Sequence, residues 1–249
     1  SLLLLGVYFN WITVHHFIYC IVGVFILRLI AMKIYAFSLY LPRLNFKFPK
    51  NLSPVLKYTS LILIAGSVAT ALLDLDKVMI EYFMPIENVA IYGIAIYIAT
   101  VISVPQKAMH QITNPMTAEF LNTKNKKSLE DLYKKSSLNL LIVSLLIFIL
   151  IISNVKQLYE LIPDEYELSI LVVLLISLVK LYDNLLGNNN SILFNSDYYR
   201  IVLFIGVLLV FVAFVLNLIF IPSFGIEGAA IASFIAFSIY NSSKIWLVH

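Results

Sequence analysis

Charge is scarce in this chain. Asp, Glu, Lys and Arg make up 12% of its 249 residues, about half the share of a typical water-soluble domain. Hydrophobic residues make up 61%, and the mean hydropathy is +0.93. Folding in water does not account for such a composition, whereas folding in lipid does. Cysteine is reduced to Cys20 inside an apolar run, which excludes an intramolecular disulfide. Histidine offers no metal-ligand pattern. His15 and His16 are neighbours whose rings diverge by about 100° on a helix, while His110 and His249 stand far from them. No nucleophile elbow, phosphate-binding loop or paired-carboxylate constellation is present, so no catalytic residues, metal or cofactor are expected. The formal charge of +3 resides in loop lysines, which gives no footprint for nucleic acid.

What the chain does have is long apolar runs. A membrane-spanning helix needs about 20 residues at 1.5 Å rise. Seven runs qualify, approximately Val14–Leu39, Tyr58–Phe83, Val89–Thr113, Leu138–Ser153, Leu168–Phe194, Ile201–Ile221 and Ile226–Val248, after a shorter stub at Leu2–Phe9. The fourth is short, and Ser128–Ser137 is expected to extend it as an amphipathic turn along the membrane surface. The runs are continuously apolar and lack the alternation of barrel strands, so they are read as helices. The expected fold is all-α, a polytopic membrane helix bundle of seven full spans plus a truncated one at the N-terminus. Because the chain opens in mid-run, without an initiator Met, it reads as the later part of a longer protein.

The few charges sort by side. Thirteen of the 17 Lys and Arg residues lie in or beside alternate connections: Lys33, Arg43, Lys47, Lys50 and Lys57, then Lys107, Lys124, Lys126, Lys127, Lys134 and Lys135, then Arg200 and Lys244. The other connections hold Asp74, Asp76, Glu81, Glu87, Glu160, Asp164, Glu165, Glu167 and Glu227. Lys and Arg near span ends stay on the cytoplasmic side, which orients the chain. On that side residues 41–54, with Pro42, Pro49 and Pro54, read as an extended linker. Glu119–Lys135 reads as a short surface helix on anionic headgroups. The domain expectation is therefore 1–40 as the end of an N-terminal bundle, 41–54 as a cytoplasmic linker, and 55–249 as a six-helix bundle.

Ionisable groups inside spans are costly and face a cavity or another helix. Arg28 reads either as an anion-binding group or as a snorkelling side chain. Lys180 and Asp183, one turn apart, either neutralise each other across i,i+3 or serve gating or coupling. Asn184, Gly187, Asn188, Asn189 and Asn190 follow them, more amide than a lipid-facing helix tolerates. Gly187 permits a local break, and broken helices are where transporters build sites. Asp74 and Lys77 share a face and Asp76 points elsewhere; the three read as an outer gate, as a carrier of a coupling proton or sodium ion, or as a headgroup cluster. Pro105, Lys107, His110 and Gln111 form a polar inner span end, with His110 a further gating candidate. Gly228, Ala232 and Ala236 form a small-residue face suited to close helix packing.

Two stretches carry a family resemblance. One is Asp76-Lys77-Val78-Met79-Ile80, followed by Ile86-Glu87-Asn88-Val89-Ala90-Ile91-Tyr92 and Pro115 before a charged loop. The other is Leu218-Ile219-Phe220-Ile221-Pro222, followed by Gly225-Ile226-Glu227-Gly228-Ala229-Ala230. In order and spacing they resemble the polysaccharide-exporter, or oligosaccharide-flippase, branch of the multidrug/oligosaccharidyl-lipid/polysaccharide superfamily; Val89 stands where that branch often has Gly. The resemblance implies a MATE-like fold of two six-helix lobes around a central cavity. Val14–Leu39 would be the sixth helix, residues 41–54 the inter-lobe linker and the remaining spans helices seven to twelve.

It further implies a multi-pass protein of the bacterial inner membrane, with linker and C-terminus cytoplasmic. Such a protein flips a polyprenyl-pyrophosphate-linked oligosaccharide by alternating access, in contact with membrane lipids and beside polysaccharide polymerase machinery. Under this reading Arg28, Lys180, Asn184 and Asn188 line the substrate cavity, and Asp74, Asp76, Lys77, Asp183 and His110 serve coupling to H+ or Na+ or gating. A cation-coupled multidrug exporter is the rival with the same architecture.

Overall fold

The computed structural model describes residues 14–40, 52–163, 166, 169–196 and 199–248. Among these every regular element is helical: α1 (Val14–Leu39), α2 (Leu52–Phe83), α3 (Glu87–Thr100), a 3-10 turn (Val101–Ser103), α4 (Val104–Asn122), α5 (Lys126–Ser153), α6 (Val155–Tyr159), α7 (Ile170–Leu185), α8 (Asn189–Asn195) and α9 (Tyr199–Val248). The chain divides into two compact units, Ser1–Val55 and Leu56–His249. Most of the expected linker, 41–51, lies outside the described residues.

Four described helical stretches are long and apolar enough to cross a membrane, or five if the bent pair α7 and α8 is one span. In the first unit, α1 exposes apolar residues on every side, from Phe25 and Leu27 to Tyr35 and Leu39, as a helix bathed in lipid does. In the second unit α5 is built inside out. Leu138, Ile142, Leu146, Ile149 and Leu150 face outwards, while Ser136 and Ser144 are buried. Small hydroxyl residues let helices approach and bond where hydrocarbon offers no other partner.

Three local signals shape this unit. Pro105 sits at the start of α4, where its missing N–H costs nothing, directly after the 3-10 turn that interrupts the α-helical pattern of Glu87–Asn122. The α4–α5 connection is a tight turn: Lys124 takes a left-handed conformation (φ 55°), and the Asn125 side chain caps α5 by accepting from the Ser128 N–H at 3.2 Å. Glu119–Lys135 is therefore no separate surface helix. Its first residues finish α4 and the rest form the first turns of α5, a single 28-residue helix carrying the i,i+4 pairs Lys134–Glu130 and Lys135–Asp131. Finally, residues 128–137 do extend the short run 138–153, as the first turns of one continuous helix with it.

The 50-residue α9 is not one rod. Gly225 is non-helical (φ 58°, ψ −137°) just after Pro222. A Cβ on Gly228 would lie 2.1 Å from the Phe220 carbonyl oxygen, whereas residues eight apart on a straight helix are separated by about 12 Å. The chain doubles back here, and Leu209 and Ala213 of the first arm share a cluster with Ala236 and Tyr240 of the second. Only glycine fits at 225 and 228, one for its φ and one for the close approach. The main core packs Ile80 against Tyr92, Ala95, Ala99 and Ile102 of α3 and the adjoining turn, Val172, Val173 and Ile176 of α7, and Ala229 and Ala230 of α9. The small-residue face at Ala232 and Ala236 is fully buried.

Candidate functional site

The second unit contains two polar clusters. The first lies about two turns from the end of the unit where Met84 packs against Gly225, 3.2 Å from where a Cβ would stand. Its centre is Asp76, 6% exposed. Asp76 Oδ1 accepts from Asn217 Nδ2 at 2.7 Å, and Oδ2 accepts from the Tyr92 hydroxyl at 2.7 Å and from the Ser233 hydroxyl. The donors come from α3 and from both arms of α9, so one carboxylate ties three helical segments to α2. A carboxylate out of water must replace its hydration shell with donors of this kind. Asp74 and Lys77 point away and form an exposed pair of 2.9 Å across i,i+3.

Beside Asp76 lies a cavity of about 40 Å³. Asp76, Tyr92, Ser233 and Lys180 supply its polar wall; Ile176 and Phe237 form part of its apolar one. Lys180 is half-buried and takes part in none of the ion pairs among the described residues.

The second cluster surrounds the break between α7 and α8, which are bent by 59°. Gly187 makes the break with φ 56°, and a Cβ there would stand 2.7 Å from the Ser137 backbone nitrogen of α5. A break frees backbone groups, and neighbours take them up. His110 Nε2 donates to the Gly187 carbonyl at 3.1 Å, and the Ser137 hydroxyl donates to that of Leu185. Asn184 Nδ2 donates to the Ile102 carbonyl at 2.7 Å and to the Ser144 hydroxyl. Asn188 Nδ2 donates to Thr117 Oγ1 at 2.7 Å, while Asn188 Oδ1 accepts from Ser136 at 3.2 Å. Both asparagines are 0% exposed. In this conformation their amides hold the broken helix against α4, α5 and the adjoining turn.

Asp183 is not neutralised by Lys180. Its partners are Lys244 Nζ at 3.5 Å and Gln106 Nε2 at 3.1 Å. Lys244, read as one of the basic residues in or beside the connections, is buried, its side chain 2% exposed against 31% for Asp183. It also donates to Asn190 Oδ1 at 3.2 Å and lies 4.4 Å above the Tyr240 ring. Helix geometry explains the correction: an i,i+3 pair is available to any two such residues, but Lys244 has no water to return to. Burying a charge without its partner costs several kcal/mol.

Of the residues singled out from sequence, Asp76 and Lys180 meet at one cavity, and Asp183 and His110 meet around the break. Asp74 and Lys77 stand apart on the surface, and Arg28 is exposed on α1 in the first unit. Sequence reading missed Tyr92, Asn217, Ser233, Gln106 and Lys244. Asn217 and Ser233 carried a usable signal, each being a polar residue within a long apolar run and hence in need of a partner.

Among the described residues no three His, Cys, Asp or Glu side chains come together as a metal site. No curated protein and no solved structure matches the chain. Residues 62–179, which include Asp76, Tyr92, His110 and most of α7, match MatE. This stretch of a multi-pass membrane protein, with its long apolar helices, broken span and buried acid, is thus similar to the MatE family of transporters over residues 62–179 of the 249.

Proposed function

We propose that the protein is a flippase for a lipid-linked oligosaccharide, serving surface-polysaccharide assembly in a bacterial inner membrane by alternating access. The observation that carries this reading is the meeting of the two sequence stretches that resemble the polysaccharide-exporter branch. Asp76 and Tyr92 of the first bond to each other, and Ser233, just beyond the second, bonds to the same carboxylate. Met84, between the parts of the first stretch, packs on Gly225 of the second. Segments some 140 residues apart thus form one structural unit, which supports reading them together as a branch signature.

In this reading α1, α2, α3 with α4, α5, α7 with α8 and the two arms of α9 are seven spans. Residues 1–40 end an N-terminal lobe, 41–54 are a cytoplasmic linker about which the lobes rock, and 55–249 are the C-terminal lobe, its C-terminus cytoplasmic. The physical task is to carry a pyrophosphate and a sugar through hydrocarbon while a polyprenyl tail stays in lipid. Arg28 is the anion-attracting group we assign, its planar fork matching phosphate oxygens. The cavity at Lys180 is far too small for a sugar, so any contact of Lys180 with the headgroup belongs to a different conformation. Asp76 and Asp183 are the ion-coupling candidates.

Depletion of the full-length protein in its host tests the reading. Lipid-linked oligosaccharide is expected to accumulate on the cytoplasmic face of the inner membrane and to clear on re-expression. Absence of accumulation, together with increased sensitivity to cationic drugs, would assign the protein to multidrug export instead.

A further inference from the structure

Two buried amides beside the α7–α8 break are not accounted for by protein partners. Asn241, one turn before Lys244 on the second arm of α9, is 0% exposed. Neither its Oδ1 nor its Nδ2 has a hydrogen-bond partner among the described residues. Asn189, the first residue of α8, is equally buried. Its Nδ2 donates to the Lys244 carbonyl at 3.4 Å, and its Oδ1 also has no partner among the described residues. Most buried side-chain polar atoms of folded proteins bond either to protein or to ordered water. Residues three apart share a helix face, and Lys244 turns its own towards the break, where its Nζ donates to Asp183 Oδ1 and Asn190 Oδ1. Asn241 therefore faces the same junction. The two bonds of Lys244 are long, 3.5 Å to the carboxylate and 3.2 Å to the amide oxygen; an ammonium on a carboxylate usually closes to about 2.7–2.9 Å. Protein groups alone thus hold this ammonium loosely.

We propose that the junction of α8 with the second arm of α9 is a hydration site, in which water bound among Asn189, Asn241 and Lys244 supplies the partners that the two amides lack. The groups present select the occupant. A cation would meet the Lys244 ammonium, and an anion would meet the two unpartnered amide oxygens. What the site needs is a donor for Asn189 Oδ1 and Asn241 Oδ1 and an acceptor for Asn241 Nδ2, in one small neutral molecule. Water is both, and it takes two to four such partners when buried. Asp183, bonded to Lys244 and 31% exposed, gives that water a route to and from the bulk.

The two sides of the broken helix are then seated differently. Asn184 and Asn188 bond directly to α4, α5 and the adjoining turn. Towards α9 the contact is wet. A water bridge costs little more than a direct hydrogen bond and re-forms after a small shift of either helix, so α8 is held against α9 without being fixed in one register. The inference depends neither on the cargo nor on the coupling ion, and its test uses neither.

The test uses the full-length protein in lipid nanodiscs and the variant Asn241→Leu, which keeps the volume and removes the amide. Replacing a buried amide that has no partner stabilises a fold, whereas replacing one that holds water destabilises it. The thermal unfolding transition is therefore expected to fall by about 2 °C or more; an unchanged or higher transition would overturn the proposal. X-ray radiolysis in isotopically labelled water reads the site directly, because it activates bound water in place. Lys244, its side chain 2% exposed, is expected to take up label in the wild type and to lose it in Asn241→Leu. No label in the wild type, or label that persists in Asn241→Leu, would overturn the proposal. Should Asn241→Leu not fold, Asn241→Ser replaces it: the smaller hydroxyl leaves room for water, so the label on Lys244 should remain, and its loss would count against a water site.

Discussion

The two polar clusters of the second unit use similar residues for different ends. Around the α7–α8 break, amides and hydroxyls are directed largely at backbone: Ile102, Leu185, Gly187 and Lys244 carbonyls all accept side-chain bonds there. Around Asp76 the bonds run side chain to side chain and converge on one ionisable group beside a cavity. The first arrangement repairs a helix, while the second gathers donors from three helical segments on a buried acid. A polar residue within a span is thus diagnosed by its partner. A backbone partner marks architecture, and a convergent set of side-chain donors marks a site.

The contrast is broken most severely at Gly187. Gly187→Ala combines a left-handed backbone with a Cβ at 2.7 Å from Ser137 N. Conformational strain of about 1–2 kcal/mol and overpacking of about 1–3 kcal/mol are expected to leave little folded protein, read as loss of a monodisperse peak on detergent extraction. Next comes Asn184→Leu, which keeps the volume but strips the Ile102 carbonyl of its buried donor. About 1–2 kcal/mol of stability should be lost, measured as an earlier thermal unfolding transition, with transport by the protein that remains folded unchanged.

Asp76→Asn should show the reverse pattern. The side chain fits and costs about 1 kcal/mol or less through mismatched donors, yet transport in a reconstituted or complementation assay should fall about tenfold or more if the charge is what functions. Should Asp76→Asn destabilise more than Asn184→Leu while sparing transport, the distinction between the clusters fails. Smallest is Lys77→Ala. The Lys77–Asp74 pair is exposed and worth about 0–1 kcal/mol, so neither the unfolding transition nor transport should move measurably.

Much of the helical content was readable because a span is long, apolar and bounded by turn residues. The reversal at Pro222–Gly225 and the break at Gly187 were both readable from glycine and proline in otherwise unbroken runs. The partners of buried groups were not. Asp183 has Lys180 one turn away in sequence, but it is paired by Lys244 from 61 residues further on, and periodicity says nothing about which helices become neighbours. The partners of the asparagines after Asp183 were hidden for the same reason: an amide that bonds a ligand and one that bonds a carbonyl of the next helix have identical spelling. The lysine-rich residues 119–135 misled in a different way, since a single cap at Asn125 decided where the helices begin and stop.

The placement of Asn217 and Ser233 on the two arms of α9 sets a timetable for assembly. During synthesis Asp76 and Tyr92 enter the bilayer first, and the remaining two donors to the carboxylate are translated about 125 and 140 residues after Tyr92. Until the α9 hairpin arrives, the nascent protein carries an acid in lipid with two of its three donors missing. The two arms of α9 are therefore what certifies the segments before them, and a chain cut short before Asn217 presents cellular quality control with an exposed membrane-embedded charge.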